Sequence, residues 1–146
     1  MKSKEVKRLI SSIEEDYSCT LDLDPSDYVF MMNDKDKIYY ANKEVFSLDI
    51  KSYAMGIYFG TITKSGIRPS MELAQLIIKN AKKNIVSIDE EQAKAWMKGE
   101  DLSIELLGVE SGLVIIKFGV NALSSSLYKD GYLLNYVPKQ RRIDMI

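Results

Sequence analysis

Residues 112–135, GLVIIKFGVNALSSSLYKDGYLLN, decide how the second half of the chain folds. The near-continuous apolar run at residues 113–116 predicts a strand that is buried on both faces. Asp130-Gly131 then separates two strand-like segments, and Asp-Gly in such a setting is a strong signal for a tight hairpin. The stretch therefore predicts the centre of a sheet followed by a hairpin at its side.

A short helix is predicted just before this stretch. NIVSID at residues 84–89 has the composition of a strand, and Asp89 can cap the helix EEQAKAWMKG, which Gly99 ends. Trp96 on this helix is expected in the core of the second half, because its side chain buries a large area. SIELLGVE at residues 103–110 predicts a further strand.

The first half begins with a predicted helix over residues 3–16, where apolar residues recur at helical spacing. Strand-like runs follow on both sides of Pro25, at residues 38–41 and at residues 53–63, where Gly56 and Gly60 indicate bulges or close backbone approach. Ser70 is a good N-cap for a helix that is expected to end near Lys83. This order predicts an α+β fold with two small domains, residues 1–83 and 84–146.

The composition excludes several chemistries. The 146 residues include no His and one Cys, so Ser-His-Asp and Cys-His catalysis, imidazole metal ligands, an internal disulfide and a zinc ribbon are all excluded. Cys19 is expected to be a buried structural thiol. The charged N-terminus has no signal peptide, and no apolar run is long enough to span a membrane. A cytoplasmic protein without a membrane partner is expected.

The balance of charge makes any basic surface local. There are 20 Lys+Arg and 21 Asp+Glu, giving a net charge of −1 and no global attraction to nucleic acid. Cations nevertheless cluster at two places in the sequence. These are Lys2, Lys4, Lys7 and Arg8 in the first segment, and Lys139, Arg141 and Arg142 near the end.

Catalytic and metal sites are weakly supported. Asp22 and Asp24, and likewise Asp34 and Asp36, have a spacing that suits a divalent cation, but polar turns produce the same spacing constantly. The glycines of residues 56–60 lack the Lys-Ser/Thr of a phosphate-binding loop. The sequence therefore predicts a protein that is not an enzyme, with no cofactor and no metal site.

Aromatic and basic residues alternate between Tyr128 and Arg142. Tyrosines can stack on unpaired bases, and Lys and Arg can neutralise phosphates. Asn135 can either read a base edge or hold a backbone turn. An edge hairpin with half-buried tyrosines and solvated charges explains the same spacing, so both interpretations stay open at this point.

The second half resembles a known domain family. A short helix ending in a Gly-Glu-Asp-Leu turn at residues 99–102, before the Gly-Leu-Val-Ile-Ile strand, resembles the PUA RNA-binding domain. Residues 130–142 resemble the PUA-like domain of Nop/Sun-type RNA cytosine methyltransferases, whose pattern is roughly Gly-x-Leu-Lys-Asn-His-x-Pro-Lys followed by Arg. This sequence departs from it at Leu134 and Tyr136, and has Ser124-Ser125-Ser126-Leu127 where relatives carry Gly-x-Gly-Lys.

The first half is similar to the α/β domain that precedes PUA in Nip-type ribosome-biogenesis proteins. It shares the tyrosine-rich strand at residues 37–40 and the spacing of Gly56, Gly60 and Lys64. The order of the two domains is also the same. This likeness implies a small α/β domain followed by a PUA-like mixed β pseudo-barrel around residues 113–116.

The resemblance implies a non-catalytic RNA-binding protein in ribosome biogenesis or RNA modification. The expected partners are structured RNA, either rRNA or tRNA, and ribosome-assembly proteins. The residues that match the RNA-binding face of the family by position are Lys98, Gly99, Ser125, Ser126, Lys129, Asn135, Tyr136, Lys139, Arg141 and Arg142.

Two other classes of function remain open. An adaptor that docks onto a ribosome-assembly or RNA-modification partner is the first alternative, since the isoelectric point is near 5.6. Exposed apolar surface around Tyr58 or Phe59 would favour it. An enzyme is the second alternative, and it would require a pocket that gathers Asp22, Asp24 and Asp34.

Overall fold

The structure, a computed structural model, describes residues 1–46, 56–105 and 111–135. The fold is mixed α+β, as predicted. The predicted strand residues 53–55 and 106–110 lie outside the described residues. The helices are α1 Ser3–Tyr17, α2 Lys43–Phe46, α3 Met71–Ile78 and α4 Glu90–Met97. The strands are β1 Tyr28–Met32, β2 Lys37–Asn42, β3 Ile57–Thr63, β4 Gly66–Pro69, β5 Ile85–Ser87, β6 Leu102–Ser103, β7 Gly112–Phe118, β8 Asn121–Lys129 and β9 Tyr132–Leu134.

In the first half, helix α1 packs on an antiparallel sheet in the order β1-β2-β3-β4. The apolar face of α1 buries Val6, Ile10 and Ile13 against the sheet. Phe30 and Phe59 are buried in the same cluster, so their side chains define the core face of the sheet.

A bulge in β3 sets which residues point to which face. Ile38 pairs with Gly60 but Tyr39 pairs with Tyr58, so Phe59 is an extra residue in β3. Gly60 also supports the prediction of close approach, because a Cβ there would lie 2.8 Å from the Arg68 carbonyl oxygen. A side chain at position 60 would therefore displace the neighbouring strand.

Two predicted boundaries in the first half were wrong. The run before Pro25 is not a strand, and α3 ends at Ile78 rather than near Lys83. The backbone amides of Lys82 and Lys83 donate to the Tyr17 carbonyl at 3.0 and 3.2 Å, so they are not used to extend α3. The side chain of Asn80 exchanges two hydrogen bonds with the backbone of Thr20, at 2.8 and 3.0 Å, which takes the backbone groups that strand pairing at Thr20 would need.

The second half is a mixed sheet in the order β5-β7-β8-β9-β6, curled into a half-barrel. β5 and β7 are parallel, and the other neighbouring strands are antiparallel. The predicted hairpin is confirmed, since β8 and β9 are joined at Asp130 and Gly131, with φ angles of 52° and 83°. Positive φ at both positions is the geometry of a two-residue hairpin turn that suits Asp-Gly.

β7 is buried on both faces, as the apolar run predicts. Val114 and Ile116 pack with Trp96 in a second core cluster, while Ile115 lies in the first cluster with α1 and α3. In addition, the Gln75 amide exchanges two 3.3 Å hydrogen bonds with the backbone of Ala122 in β8. In the described residues, β7 and β8 therefore contact the core of the first half as well as that of the second. The division of the chain into two domains at residue 83 stays a prediction.

Cys19 is half-buried rather than fully buried. Burial raises the pKa of its thiol, and the Glu14 carboxylate adds to this effect. A raised pKa keeps a thiol protonated and poorly nucleophilic, in agreement with the predicted structural role.

None of the helices in the described ranges is long and apolar enough to cross a membrane.

Candidate nucleic-acid interface

Helix α4 is fixed at both ends by local sequence. Asp89 and Gln92 form a reciprocal capping box at its start. At its end Gly99 has a φ of 96°, and the amides of Gly99 and Glu100 donate to the carbonyls of Trp96 and Ala95 at 3.0 and 3.1 Å. This is a Schellman motif, so the turn after α4 has a defined shape.

Asn135 joins the end of β9 to the end of α4. Its side-chain Nδ2 donates to the Trp96 carbonyl at 2.7 Å and to the Glu100 carbonyl at 3.0 Å. The backbone amide of Asn135 donates to Asp101 Oδ1 at 2.7 Å. Of the two roles considered for Asn135, the structure supports the holding of a backbone turn.

The structure therefore brings Lys98, Gly99 and Asn135 together. Lys98 is the exposed C-cap of α4, and Gly99 is half-buried in the turn that Asn135 holds. The neighbouring Glu100 and Asp101 are both exposed acids. Negative charge therefore lies close in sequence to Lys98, the exposed cation of this junction.

Lys129 is the last residue of β8, at the turn of the hairpin rather than at the end that carries Asn135. It is exposed, pairs with Tyr132 across the hairpin and lines a shallow surface depression. The residues around the depression are Asp101, Lys129, Asp130, Tyr132 and Leu134. The depression thus combines an exposed tyrosine, one cation and two acids.

The two predicted serines point to opposite faces of β8. Ser126 pairs with Val114, is only 2% exposed, and donates from Oγ to the Leu134 carbonyl at 2.7 Å. Ser125 pairs with Ile115, which faces the first cluster, and it is half-buried. The hydroxyl of Ser126 is therefore used inside the protein, and an RNA contact at either serine stays a prediction.

Four of the predicted site residues lie outside the described part of the chain. These are Tyr136, Lys139, Arg141 and Arg142. They follow Asn135 directly in sequence, so the segment that carries them begins at a point tied to α4. Their contacts with RNA stay predictions.

Comparison with known families identifies this half of the chain. Residues 83–143 match the family model described as the Methyltransferase RsmF PUA domain. Residues 83–143 form a PUA domain of the RsmF methyltransferase type. A PUA domain implies RNA binding, as in RNA methyltransferases. No curated protein was found to match the chain.

The role of Asp101 in the PUA domain was not predicted from the sequence. Asp101 Oδ1 accepts a hydrogen bond from the backbone amide of Asn135 at 2.7 Å. Thirty-four residues separate the two partners. No local spacing signals such a contact, because it exists only once the half-barrel has closed.

The carboxylate pairs considered for metal binding lie in or beside polar turns. Asp24 accepts hydrogen bonds from the amide and the hydroxyl of Ser26 at 2.9 and 2.7 Å, and these bonds lower the pKa of its carboxyl group. Asn33 caps the turn that contains Asp34 and Asp36. Within residues 1–46, 56–105 and 111–135, no three His, Cys, Asp or Glu side chains are grouped to hold a metal ion.

Substitution of Asn135 tests its role as the link between β9 and α4. Asn135→Ala should lower the free energy of unfolding by about 1–3 kcal/mol, because two carbonyls lose a donor. Asn135→Asp should cost at least as much at pH 7, since it places a carboxylate against the same carbonyls. Chemical denaturation of both variants measures the effect. An Asp variant as stable as the parent protein would contradict this role.

Proposed function

We propose that the chain is a non-catalytic RNA-binding protein that contacts structured RNA through its PUA domain. The observation that carries the proposal is the family match over residues 83–143. The overall composition gives no attraction to RNA, with a net charge of −1. Binding must therefore depend on a local surface rather than on the total charge.

The proposed surface starts at the junction held by Asn135. Lys98 is exposed at this junction, and Lys139, Arg141 and Arg142 follow Asn135 in the sequence. Cations of this kind neutralise phosphates and fix the register of the RNA, whereas base contacts supply specificity. In this proposal Asn135 and Ser126 are positioning residues, and Lys129 extends the surface along the hairpin.

We also propose a role in ribosome biogenesis or RNA modification, with rRNA or tRNA as the bound RNA. Two features support it: the methyltransferase type of the PUA domain, and the resemblance of the first half to the domain that precedes PUA in Nip-type proteins. That resemblance includes the tyrosine-rich strand, which the structure places in β2. Catalysis, where it is needed, would be supplied by a separate protein.

A second candidate function is an adaptor for a ribosome-assembly or RNA-modification protein. Phe59 gives it no support, since this side chain is 1% exposed. The turn between β7 and β8 does favour it, because Phe118 and Val120 are 39% and 83% exposed there. Large apolar side chains at a turn are costly to leave in water and suit a protein partner.

Titration with structured RNA distinguishes these two functions. The double variant Lys98→Gln with Lys129→Gln should bind rRNA and tRNA fragments more weakly. It should also lower the slope of log affinity against log salt by up to about 1.8 on duplex RNA, since each lost phosphate contact removes roughly 0.9. Lys4→Gln with Lys7→Gln on α1 is the charge-matched control, because both residues are exposed and lie in the other half. Equal effects in the two double variants would contradict the proposed surface.

A further inference from the structure

A cavity of about 220 Å³ lies where the two halves of the chain meet. Its lining comes from the end of α1, the β3–β4 turn, the residue before β5 and the start of β7, and it includes Asp16, Tyr17, Ser65, Ile67, Asn84 and Leu113. A cavity of roughly 150 Å³ holds one benzene molecule. This cavity therefore has room for a single planar heterocycle larger than benzene.

Hydrogen bonds fix the walls of this cavity. Asn84 Nδ2 donates to the Asp16 carbonyl at 2.7 Å, which ties the residue before β5 to the end of α1. In the β3–β4 turn, Thr63 Oγ1 donates to the Gly66 carbonyl at 2.7 Å and accepts from the Ser65 amide at 3.2 Å. The cavity is therefore formed in the free protein, which lowers the entropic cost of binding a ligand.

The Tyr17 hydroxyl group is available inside this cavity. Tyr17 is 2% exposed, and its hydroxyl has no hydrogen-bond partner among the described residues. In those residues Trp96 Nε1 is the one fully enclosed side-chain polar atom without a partner, so the Tyr17 hydroxyl must reach the space that Tyr17 lines. Burial raises the pKa of Tyr17, and the Asp16 carboxylate adds to this effect. The hydroxyl therefore keeps its proton and can donate a hydrogen bond.

The Asp16 carboxylate is the charged group of the lining. It is exposed, and within the described residues its side chain forms no ion pair and no hydrogen bond. It faces the β3–β4 turn, since a Cβ on Gly66 would lie 3.7 Å from Asp16 Oδ2. The lining thus offers two carboxylate acceptors, a phenol donor and the apolar residues Ile67 and Leu113.

Two cations lie next to the lining in the sequence. Lys64 precedes Ser65 and Lys83 precedes Asn84, and both lysines are exposed. Neither forms an ion pair with a carboxylate in the described ranges. An acceptor-rich lining with cations beside it matches a nucleotide, because the base can donate hydrogen bonds while the phosphates need cations.

We propose that this cavity binds the guanine base of single-stranded RNA. The Asp16 carboxylate accepts hydrogen bonds from the adjacent N1–H and N2–H groups of guanine, and the Tyr17 hydroxyl donates to its O6. Lys64 and Lys83 contact the flanking phosphates. The proposal rests on the proposed function only in taking RNA as the ligand, and its site is separate from the junction at Asn135.

The carboxylate selects guanine over the other bases. Guanine presents two neighbouring N–H donors on its Watson–Crick edge, and a carboxylate has two acceptor oxygens. Adenine and cytosine present an acceptor nitrogen beside their amino group, and uracil presents one N–H between two carbonyls. Each of these three bases would turn an acceptor toward Asp16, which is unfavourable.

The test is a titration of the full chain with 12-nucleotide oligouridine RNAs that carry guanine, adenine or uracil at one central position. The parent protein should bind the guanine RNA about tenfold more tightly than the other two. Asp16→Asn should abolish this preference, because a carboxamide cannot accept from both N–H groups. Tyr17→Phe should reduce it about threefold through one lost hydrogen bond. Its free energy of unfolding should match that of the parent protein, so a loss of folding does not confuse the result.

Glu15→Gln is the matched control for Asp16→Asn. Glu15 is an exposed carboxylate on the same helix and does not line the cavity, so its variant should keep the guanine preference. The inference is overturned if the parent protein shows no preference, or if Asp16→Asn and Tyr17→Phe both retain it. If Asp16→Asn fails to fold, Tyr17→Phe decides the result alone.

Free GMP is the other source of a guanine base. It lacks the flanking phosphates, so it should compete with the guanine RNA only at a concentration at least about tenfold higher. Lys64→Gln with Lys83→Gln should lower the salt-dependence slope for the RNA by about 1.4, at roughly 0.7 per single-strand contact. GMP that competes as well as the RNA itself would overturn the assignment of an RNA site.

The variant Lys98→Gln with Lys129→Gln separates this inference from the proposed function. Loss of guanine preference in the Asp16 and Tyr17 variants, with parent-like binding of structured RNA by the PUA variant, would support the inference and overturn the proposed function. Weaker binding of structured RNA by the PUA variant, with the guanine preference retained in the other two, would overturn the inference and leave the proposed function standing.

Discussion

Replacing Trp96 with Ala should lower the free energy of unfolding by about 3–5 kcal/mol. Trp96 is 0% exposed and packs in the cluster that includes Val114, Ile116 and Leu133. Removing its side chain would leave a large cavity inside the half-barrel, and the strands around it are held in register by their hydrogen bonds. The backbone of Trp96 also accepts the Asn135 bond, so loss of the side chain should loosen the proposed RNA surface.

Urea denaturation followed by circular dichroism measures this effect, and Trp96→Phe is the matched control. The Phe variant should lose less than half as much stability, since the ring fills much of the same space. It also removes the indole N–H, which has no hydrogen-bond acceptor among the described residues. An Ala variant within about 1 kcal/mol of the parent protein would show that Trp96 is not central to this core.

Neutralising Lys139, Arg141 and Arg142 together should produce the largest effect on binding. If each cation contacts one phosphate of single-stranded RNA, the salt-dependence slope should fall by about two units, at roughly 0.7 per contact. Affinities for unrelated RNAs should fall together, because phosphate contacts carry no sequence information directly. Titration of rRNA fragments at two salt concentrations gives both quantities.

The matched control for this triple variant removes three cations from α1, at Lys4, Lys7 and Arg8. All three are exposed and belong to the first half. Its slope and affinity should stay close to those of the parent protein. An unchanged slope in the Lys139, Arg141 and Arg142 variant would remove these residues from the proposed interface, and an adaptor that binds only protein would give that result.

Local signals in the sequence predicted the second half well. Asp130-Gly131 predicted the hairpin, Asp89 and Gly99 predicted both ends of α4, and the run at residues 113–116 predicted a strand buried on both faces. Each of these signals depends on backbone geometry or burial within a few residues. Such features are encoded close to where they act, which is why a single sequence reveals them.

Features that depend on distant contacts could not be predicted in the same way. The bulge in β3 decides that Tyr58 faces outward beside Thr61, and it arises from pairing with β2. The bond from Asn135 to the Trp96 carbonyl spans 39 residues. The burial of Ser126 likewise depends on its pairing with Val114, so the three consecutive serines gave no indication of which one faces the interior.

The central claim is that the PUA domain contacts RNA, and photocrosslinking tests it most directly. The full chain would be crosslinked to a structured rRNA fragment that contains 4-thiouridine, and the modified peptides would be identified by mass spectrometry. We expect crosslinked peptides from residues 96–103 and 128–142, which contain the hydrogen-bonded residues of the Asn135 junction and the cations that follow Asn135 in the sequence. Efficient crosslinking with every modified peptide outside residues 83–143 would contradict the claim.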